Sequence, residues 1–335
     1  MGSRENPSEY AAYARWTPEE AAKWYVSHLV SPDLKAELEA KYSGGSWTAL
    51  NGQVVFVGPG GEIAEETLPR LAEMYRVGDG SHIGGAGQKS IYADKYGRQY
   101  IFKPSISKSG QKEPFRALIQ QAVSRIASKI FHIREYVPLY IDVTTEGMTG
   151  SVQPLVSGVI GNLKEINWRC LTQEQIRDIQ REHVLDWVVC NFNSHPGNFI
   201  LVERGQVLGV DKEQAFRFID DPASLQISLD YHPNRQYGKQ GPIYNEIYQE
   251  YKDGKIKLEF SAAEEPLNKL DGIEEAEYRE ILRPYAESLK LPESFYDKAL
   301  ARKRNARGEF QRFFASVGRQ REETLSRGYS KRGQA

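Results

Sequence analysis

Residues 186–216 read DWVVCNFNSHPGNFILVERGQVLGVDKEQAF. The stretch opens on the end of an apolar-striped helix and passes into a polar loop from Asn191 to Asn198. Two short apolar runs follow, joined at Glu203-Arg204-Gly205, and the second leads into Asp211. Apolar runs of this length around a Gly-containing turn read as a hairpin. A hairpin delivers Asn198 at its entry and Asp211 at its exit, so two oxygen-bearing side chains arrive at one end. Such a pair suits magnesium, which takes few protein ligands and prefers oxygen. The loop carries Asn193 where a catalytic carboxylate would be expected, so enzyme and dead enzyme are both open on these residues alone.

Upstream, Thr172-Gln173-Glu174-Gln175 forms a capping-box signature. It predicts a helix through Val189 carrying Ile176, Ile179, His183, Val184, Trp187 and Val188. LYIDVTT (139–145) and SVQPLV (151–156) predict a hairpin around Glu146 to Gly150. Between about 114 and 131, Phe115, Leu118, Ile119, Ala122, Val123, Ile126, Ala127 and Ile130 recur at three- and four-residue spacing. That is the stripe of a core-facing helix. KSIYAD (89–94) and RQYIFKP (98–104) predict another hairpin, turning at Asp94 to Gly97 and ending near Lys103. Just before it, residues 78–87 read GDGSHIGGAG. Glycines let backbone N–H groups approach phosphates closely, although Gly84-Gly-Ala-Gly-Gln-Lys-Ser90 misses the P-loop pattern by its Gln.

The order of glycine loop, hairpin, lysine, helix, hairpin, helix, polar loop, hairpin and Asp resembles the kinase fold. The likeness is to the atypical branch containing phosphatidylinositol 3/4-kinases, HipA-type toxin kinases and related bacterial kinase-like domains. It spans about residues 78–218. In that branch a segment D-[WY]-x-x-x-N-x-D-x-x-x-x-N forms the catalytic loop, and a metal-binding Asp follows in a pattern like [IV]-D-x-x-x-A-F. Here these stand as Asp186-Trp187 through Asn191, Asn193 and Asn198, and as Val210-Asp211 through Ala215-Phe216.

The resemblance implies an α+β, protein-kinase-like bilobal fold. Residues 1–77 would form a helical extension, 78–156 a small β-rich N-lobe, and 157–335 a mostly helical C-lobe with a helical tail. It implies ATP and Mg²⁺ as cofactors, with Asn198 and Asp211 as metal ligands. Lys103 would neutralise phosphate charge, helped by the amides of Gly84, Gly85 and Gly87. The helix after Lys103 normally offers a Glu to that lysine, and the aligned place carries Gln121, with Glu113 at the helix start. The catalytic-base position, Asp in the family, is Asn193. His195 matches the His of the lipid-kinase Asp-Arg-His, with Ser194 in place of the Arg. The implied activity is phosphotransfer to a hydroxyl, a protein acceptor being favoured over a lipid. The alternatives are a pseudokinase that binds nucleotide or a partner, and a nucleotidyltransferase.

Bulk properties agree with an ordinary globular chain. The 335 residues include 44 Lys and Arg against 45 Asp and Glu, a balance that argues against nucleic acid as a partner of the whole surface. Only Cys170 and Cys190 are present, without metal-ligand spacing, which suits a reducing, cytoplasmic setting. The N-terminal stretch has no signal-peptide pattern, and no run is long and apolar enough to span a membrane. Ser194 and His195 are neighbours, a poor nucleophile–base pair, and no G-x-S-x-G appears.

The first fifty residues read as helical, with caps at Thr17-Pro18 and Ser31-Pro32. A strand is expected at 53–58, a helix over 63–76, and a polar stretch from Ser157 to Trp168. Tyr231 to Tyr237 reads as the counterpart of an activation or substrate loop. In the tail, Tyr278, Ile281, Leu282 and Tyr285, then Phe310, Phe313, Phe314 and Val317, read as core stripes. The basic residues among them, Arg302 to Arg321, read as a solvated helix face.

Overall fold

The computed structural model describes residues 23, 26–27, 30–50, 53–60, 63–64, 67–80, 88–94, 97–107, 109–132, 134–231 and 241–332. Within them the chain is mixed, with antiparallel sheets first and helices towards the C-terminus. Helix α1 (Pro32–Lys41) starts at Ser31, whose hydroxyl accepts from the Leu34 amide. Strands β1 (Ser46–Leu50) and β2 (Gln53–Val57) then pair as a separate hairpin. Reading the first fifty residues as helical throughout is therefore corrected at β1. Trp47 there packs edge-on against Phe56, a cross-strand contact that overrides helix propensity. The Thr17-Pro18 cap lies outside the described residues.

The main sheet holds β3 (Tyr75–Asp79), β4 (Ser90–Ala93), β5 (Gln99–Pro104), β6 (Tyr140–Val143) and β7 (Thr149–Pro154), in the order β3-β4-β5-β7-β6. The expected hairpins β4–β5 and β6–β7 are both present. The helix expected over 63–76 is not. Ile63 bridges Val57, Leu71–Glu73 is one 3₁₀ turn, and Tyr75 begins β3. Pro69 cannot donate a helical hydrogen bond and disfavours helical backbone at Leu68. The side chains instead tie this segment to its neighbours. Tyr140 donates to the Pro69 carbonyl (2.7 Å), and the Leu71 amide donates to Asp142 (2.7 Å).

Helix α2 (Phe115–Ile130) crosses the sheet and buries Ile119, Val123, Ile126 and Ile130. Each such side chain contributes roughly 1.5–3 kcal/mol as an upper bound. Its stripe joins a core shared with helices α3 (Gln173–Val188), α5 (Glu264–Asp271), α6 (Glu275–Ser288) and α7 (Glu293–Arg332). Between α3 and α5 lies α4 (Ile243–Lys252). The polar stretch from Ser157 contains a further strand, β8 (Val159–Asn162), which pairs with β9 (Phe199–Val202). With β10 (Val207–Gly209) this makes a three-stranded sheet in the order β10-β9-β8. Val159 and Ile160 stay exposed on its edge, so no apolar burial marks the strand in advance.

The core stripes of the tail form as expected, but its basic residues are not all solvated. Arg302 is buried with 1% exposure. Its guanidinium stacks on Trp187 (4.3 Å) and donates to the carbonyls of Trp187 and Ser224. Two backbone carbonyls, one of them at a helix C-terminus where the helix leaves spare acceptor capacity, supply what a carboxylate would otherwise have to. Arg304 and Arg307 pair with Glu275 and Asp271, and Arg321 donates to the carbonyls of Tyr251 and Ile256.

Candidate functional site

Helix α3 aims the loop that follows it. Thr172 and Gln175 complete the capping box at its start. At its end Cys190 adopts a left-handed conformation (φ 53°), the Cys190 amide donates to Trp187 (3.1 Å) and the Asn191 amide to Asp186 (2.7 Å). That pair of bonds is a Schellman motif, which reverses the chain sharply. A residue other than Gly there costs about 1–2 kcal/mol, so the surroundings hold it in place.

The reversal lays the loop along the Asp186 side chain, which is 1% exposed. Its two oxygens accept from Asn191 Nδ2 (2.8 Å), Ser194 Oγ (2.6 Å), Tyr244 OH (2.7 Å) and Lys212 Nζ (2.7 Å). Four donors on one buried carboxylate satisfy it and fix the loop. His195 opens the 3₁₀ turn Pro196–Asn198, its Nδ1 accepting from the Gly197 amide (3.1 Å). That bond leaves the proton on Nε2 of the neutral ring. Burial, with Lys164 adding to it, holds the His195 imidazole below its ordinary range against the pull of Asp211. In the structure the His195 side chain caps this turn.

Asn193 sits between two anchors. Its amide donates to Asn191 Oδ1 (3.3 Å) and its carbonyl accepts from Asn198 Nδ2 (2.6 Å). The latter bond occupies the nitrogen end of the Asn198 amide and leaves its oxygen for a ligand role. The Asn198 carbonyl accepts from Val210 (2.8 Å), so the loop and the residue before Asp211 are one hydrogen bond apart.

Asp211 (φ 61°) then turns its carboxylate to Lys103 on β5, at 3.1 Å across 108 residues of sequence. Burial would raise this carboxyl, but Lys103, Lys89 and His195 outweigh it and hold the group ionised below its usual range. Lys89, beside them, is lowered by burial and by Lys103, with Asp211 and Glu213 opposing. Glu213 is raised by burial and by Asp211. Arg116 on α2 reaches Glu213 (3.7 Å), joining the helix to this segment.

Lys103, Asn193, His195, Asn198 and Asp211 therefore fall in two adjoining segments and one strand, as the sequence order implied. The ion partner of Lys103 is Asp211; α2 carries no carboxylate, and Glu113, which precedes it, pairs with Arg116. Gln121 is half-buried on α2, and its neighbour Gln120 is the residue that reaches β7, at Ser151 (3.4 Å), opposite Lys103 in the strand register. Gly84, Gly85 and Gly87 lie outside the described residues, as do residues 232–237 of the segment beginning at Tyr231. Lys89, Glu182, Lys212, Glu213 and Tyr244 were not assigned from the sequence, and Asp186 entered only as the opening residue of the loop motif. Only Lys89, next to the glycine cluster, had a local signal. Among the described residues no set of three His, Cys, Asp or Glu side chains could hold a metal. An aspartate and an asparagine oxygen would still suit Mg²⁺, which keeps much of its shell for substrate oxygens and water.

Behind the loop, His183 stacks on Tyr244 (4.1 Å, 16°) and meets Phe310 edge-on (5.0 Å). Burial pushes its imidazole down from 6.5 to about 3. The unfolded chain takes up a proton below pH 6.5 that the folded chain refuses, so stability falls as pH drops from 6.5 towards 3, by about 1.4 kcal/mol per unit at most. Asp178, raised by burial from 3.8 to about 6, works the opposite way: it gains stability as pH falls through 6. His183→Phe removes the first contribution and leaves the second. The parent is expected to lose more melting temperature than His183→Phe between pH 7 and pH 4.5. Equal losses in the two proteins would show that His183 is not the group responsible.

No protein-family model matches the chain, and no curated protein matches it. Solved structures do. The Helicobacter pylori proinflammatory kinase CtkA is 9% identical, with a TM-score of 0.41 over 77% of this chain and 99% of that one. The Golgi casein kinase is 12% identical, with a TM-score of 0.41 over 75% of each chain. The same enzyme with Mn/ADP bound scores 0.36 at 12% identity, over 73% of this chain and 72% of that one. With each of these TM-scores below 0.5, the likenesses leave the functional reading to the chain's own residues.

Proposed function

We propose that the chain is an ATP- and Mg²⁺-dependent, kinase-like phosphotransferase acting on a hydroxyl, a protein acceptor being preferred to a lipid. The observation that carries this reading is the Lys103–Asp211 ion pair, joined through Val210 and Asn198 to the loop holding Asn193. On this reading residues 78–156 are the N-lobe, 157–335 the C-lobe, and the site lies between them. Asp211 and the Asn198 oxygen would hold magnesium, and Lys103 with Lys89 would face the nucleotide phosphates. Magnesium, when bound, would neutralise phosphate charge.

Lys103 adds a fixed positive charge, and the Asp186 network keeps the loop from having to reorganise as the reaction proceeds. Asn193 cannot take a proton from the acceptor, which favours a second reading: a pseudokinase that binds nucleotide without rapid transfer.

A thermal-shift titration tests the binding shared by both readings. A ligand at 100 times its Kd stabilises by about 2.7 kcal/mol, so ATP with Mg²⁺ is expected to raise the melting temperature by several degrees. No shift with ATP or GTP and any divalent metal would contradict both. Intact mass after incubation separates the chemistries: a phosphate-sized gain marks phosphotransfer, and an AMP-sized gain marks nucleotidyl transfer.

A further inference from the structure

Asp211 and Lys212 are consecutive, yet their side chains leave in opposite directions. Asp211 goes to Lys103 on the sheet. Lys212 goes to α3, where its ammonium lies between Glu182 (2.5 Å) and Asp186 (2.7 Å). Glu182 and Asp186 are 6% and 1% exposed at the side chain, and Lys212 only 12%. Room for this cluster depends on Gly209, where a Cβ would stand 2.3 Å from Glu182 Oε1. The peptide between Asp211 and Lys212 is thus held from both sides, and Asp211 keeps a left-handed backbone that few non-glycine residues adopt. Such conformations persist where the surroundings over-determine them.

Deleting one partner of a buried ion pair strands the other, whereas apolar replacement of the whole pair is often neutral for stability. The best-attested use of such groups is to fix register. Here the register at stake is that of Asp211 against the loop, because the Asp186 that receives Lys212 also receives Asn191 and Ser194, on either side of Asn193.

We propose that Lys212, seated between Glu182 and Asp186, is a positioning residue that locks Asp211 and the loop 191–198 together as one unit. The proposal deepens the reading of Asp211 as the metal-facing residue and rests on it for its catalytic consequence. The locking itself has a separate readout.

The test is the double variant Glu182→Gln/Lys212→Met, which removes one charge of each sign and leaves Asp186 its three neutral donors. Hydrogen exchange is followed at the amides of Asn191, Asn198 and Val210, whose bonds close the unit, with helices α5 to α7 as an internal control. The expected result is exchange faster by at least about 10-fold at those three amides, unchanged protection in the control helices, and Mg²⁺–ATP binding weaker by about 10–100-fold, the range seen when supporting residues around a metal are lost. Lys212→Arg keeps the charge and is expected to recover much of both.

A folded double variant with parental exchange at the three amides overturns the proposal. So does one in which the control helices loosen equally, since the effect would then be global. Should the double variant fail to fold, the same amides are compared in Lys212→Gln, which removes the ammonium, where parental exchange and parental binding overturn the proposal, and local loosening with weaker binding supports it. If the parent itself does not bind Mg²⁺–ATP while the three amides still loosen in the variant, the nucleotide reading falls and the positioning role stands.

Discussion

Replacing Asn193 by Asp is expected to raise phosphoryl transfer by about 10²–10⁴-fold, the usual range for a general base. The backbone at this position is pinned on both sides, at Asn191 Oδ1 and at Asn198 Nδ2. Neither bond uses the Asn193 side chain, so an isosteric exchange leaves the loop in place and changes only charge. Lys103, Lys89 and His195 already act together to keep a nearby carboxylate ionised at Asp211. A carboxylate at 193 would orient the incoming hydroxyl and take its proton. Because the transition state is loose, the parent is expected to keep a trace of activity. The measurement is labelled phosphate incorporation by both chains, in autophosphorylation and with candidate acceptor proteins. Robust activity in both would show that Asn193 is not at the base position. Inactivity in both, with an acceptor verified independently, would favour the pseudokinase.

Asp211→Asn is expected to weaken magnesium-dependent ATP binding by at least about 100-fold, the upper end of what even supporting residues around a metal contribute. Asparagine is the right probe because it tolerates the left-handed backbone that Asp211 adopts, so the fold is spared. On the proposed reading it removes the negative charge that Asp211 would turn to the metal, Asn198 being neutral. Lys103 and Lys89 then face no aspartate at 211, and ATP without metal is expected to bind no worse than to the parent. Calorimetric titrations with and without Mg²⁺ give both comparisons. Parental affinity for Mg²⁺–ATP in Asp211→Asn would remove Asp211 from the metal site.

What could be read in advance was what depends on near neighbours. The α2 stripe, the capping box of α3 and the hairpins β4–β5, β6–β7 and β9–β10 are all patterns within one segment. The order of Lys103, Asn198 and Asp211 along the chain was legible because each lies within two residues of a strand end. Residues 63–76 misled because their apolar spacing is helical, while the bonds that make the segment extended come from Tyr140 and Asp142, 71 residues away. β8 was hidden by its exposed apolar side chains. The donors to Asp186 come from 26 and 58 residues downstream as well as from the loop, so the motif that begins at this aspartate does not reveal the network around it. The same holds for Arg302, whose place among a run of basic residues suggested water rather than a buried stack on Trp187.

That stack also sets an order of events during synthesis. The Trp187 carbonyl receives the Arg302 guanidinium from 115 residues further along the chain. At ribosomal rates of about 5–20 residues per second, roughly 6–23 s separate the appearance of the two residues. During that interval the end of α3 lacks one of its partners, and so does the carbonyl of Ser224. Until Arg302 is made, the core that α2 and α3 share with the C-terminal helix also lacks Ala306 and Phe310. The end of α3 is thus completed only once the C-terminal helix has been made, which acts as a latch on it.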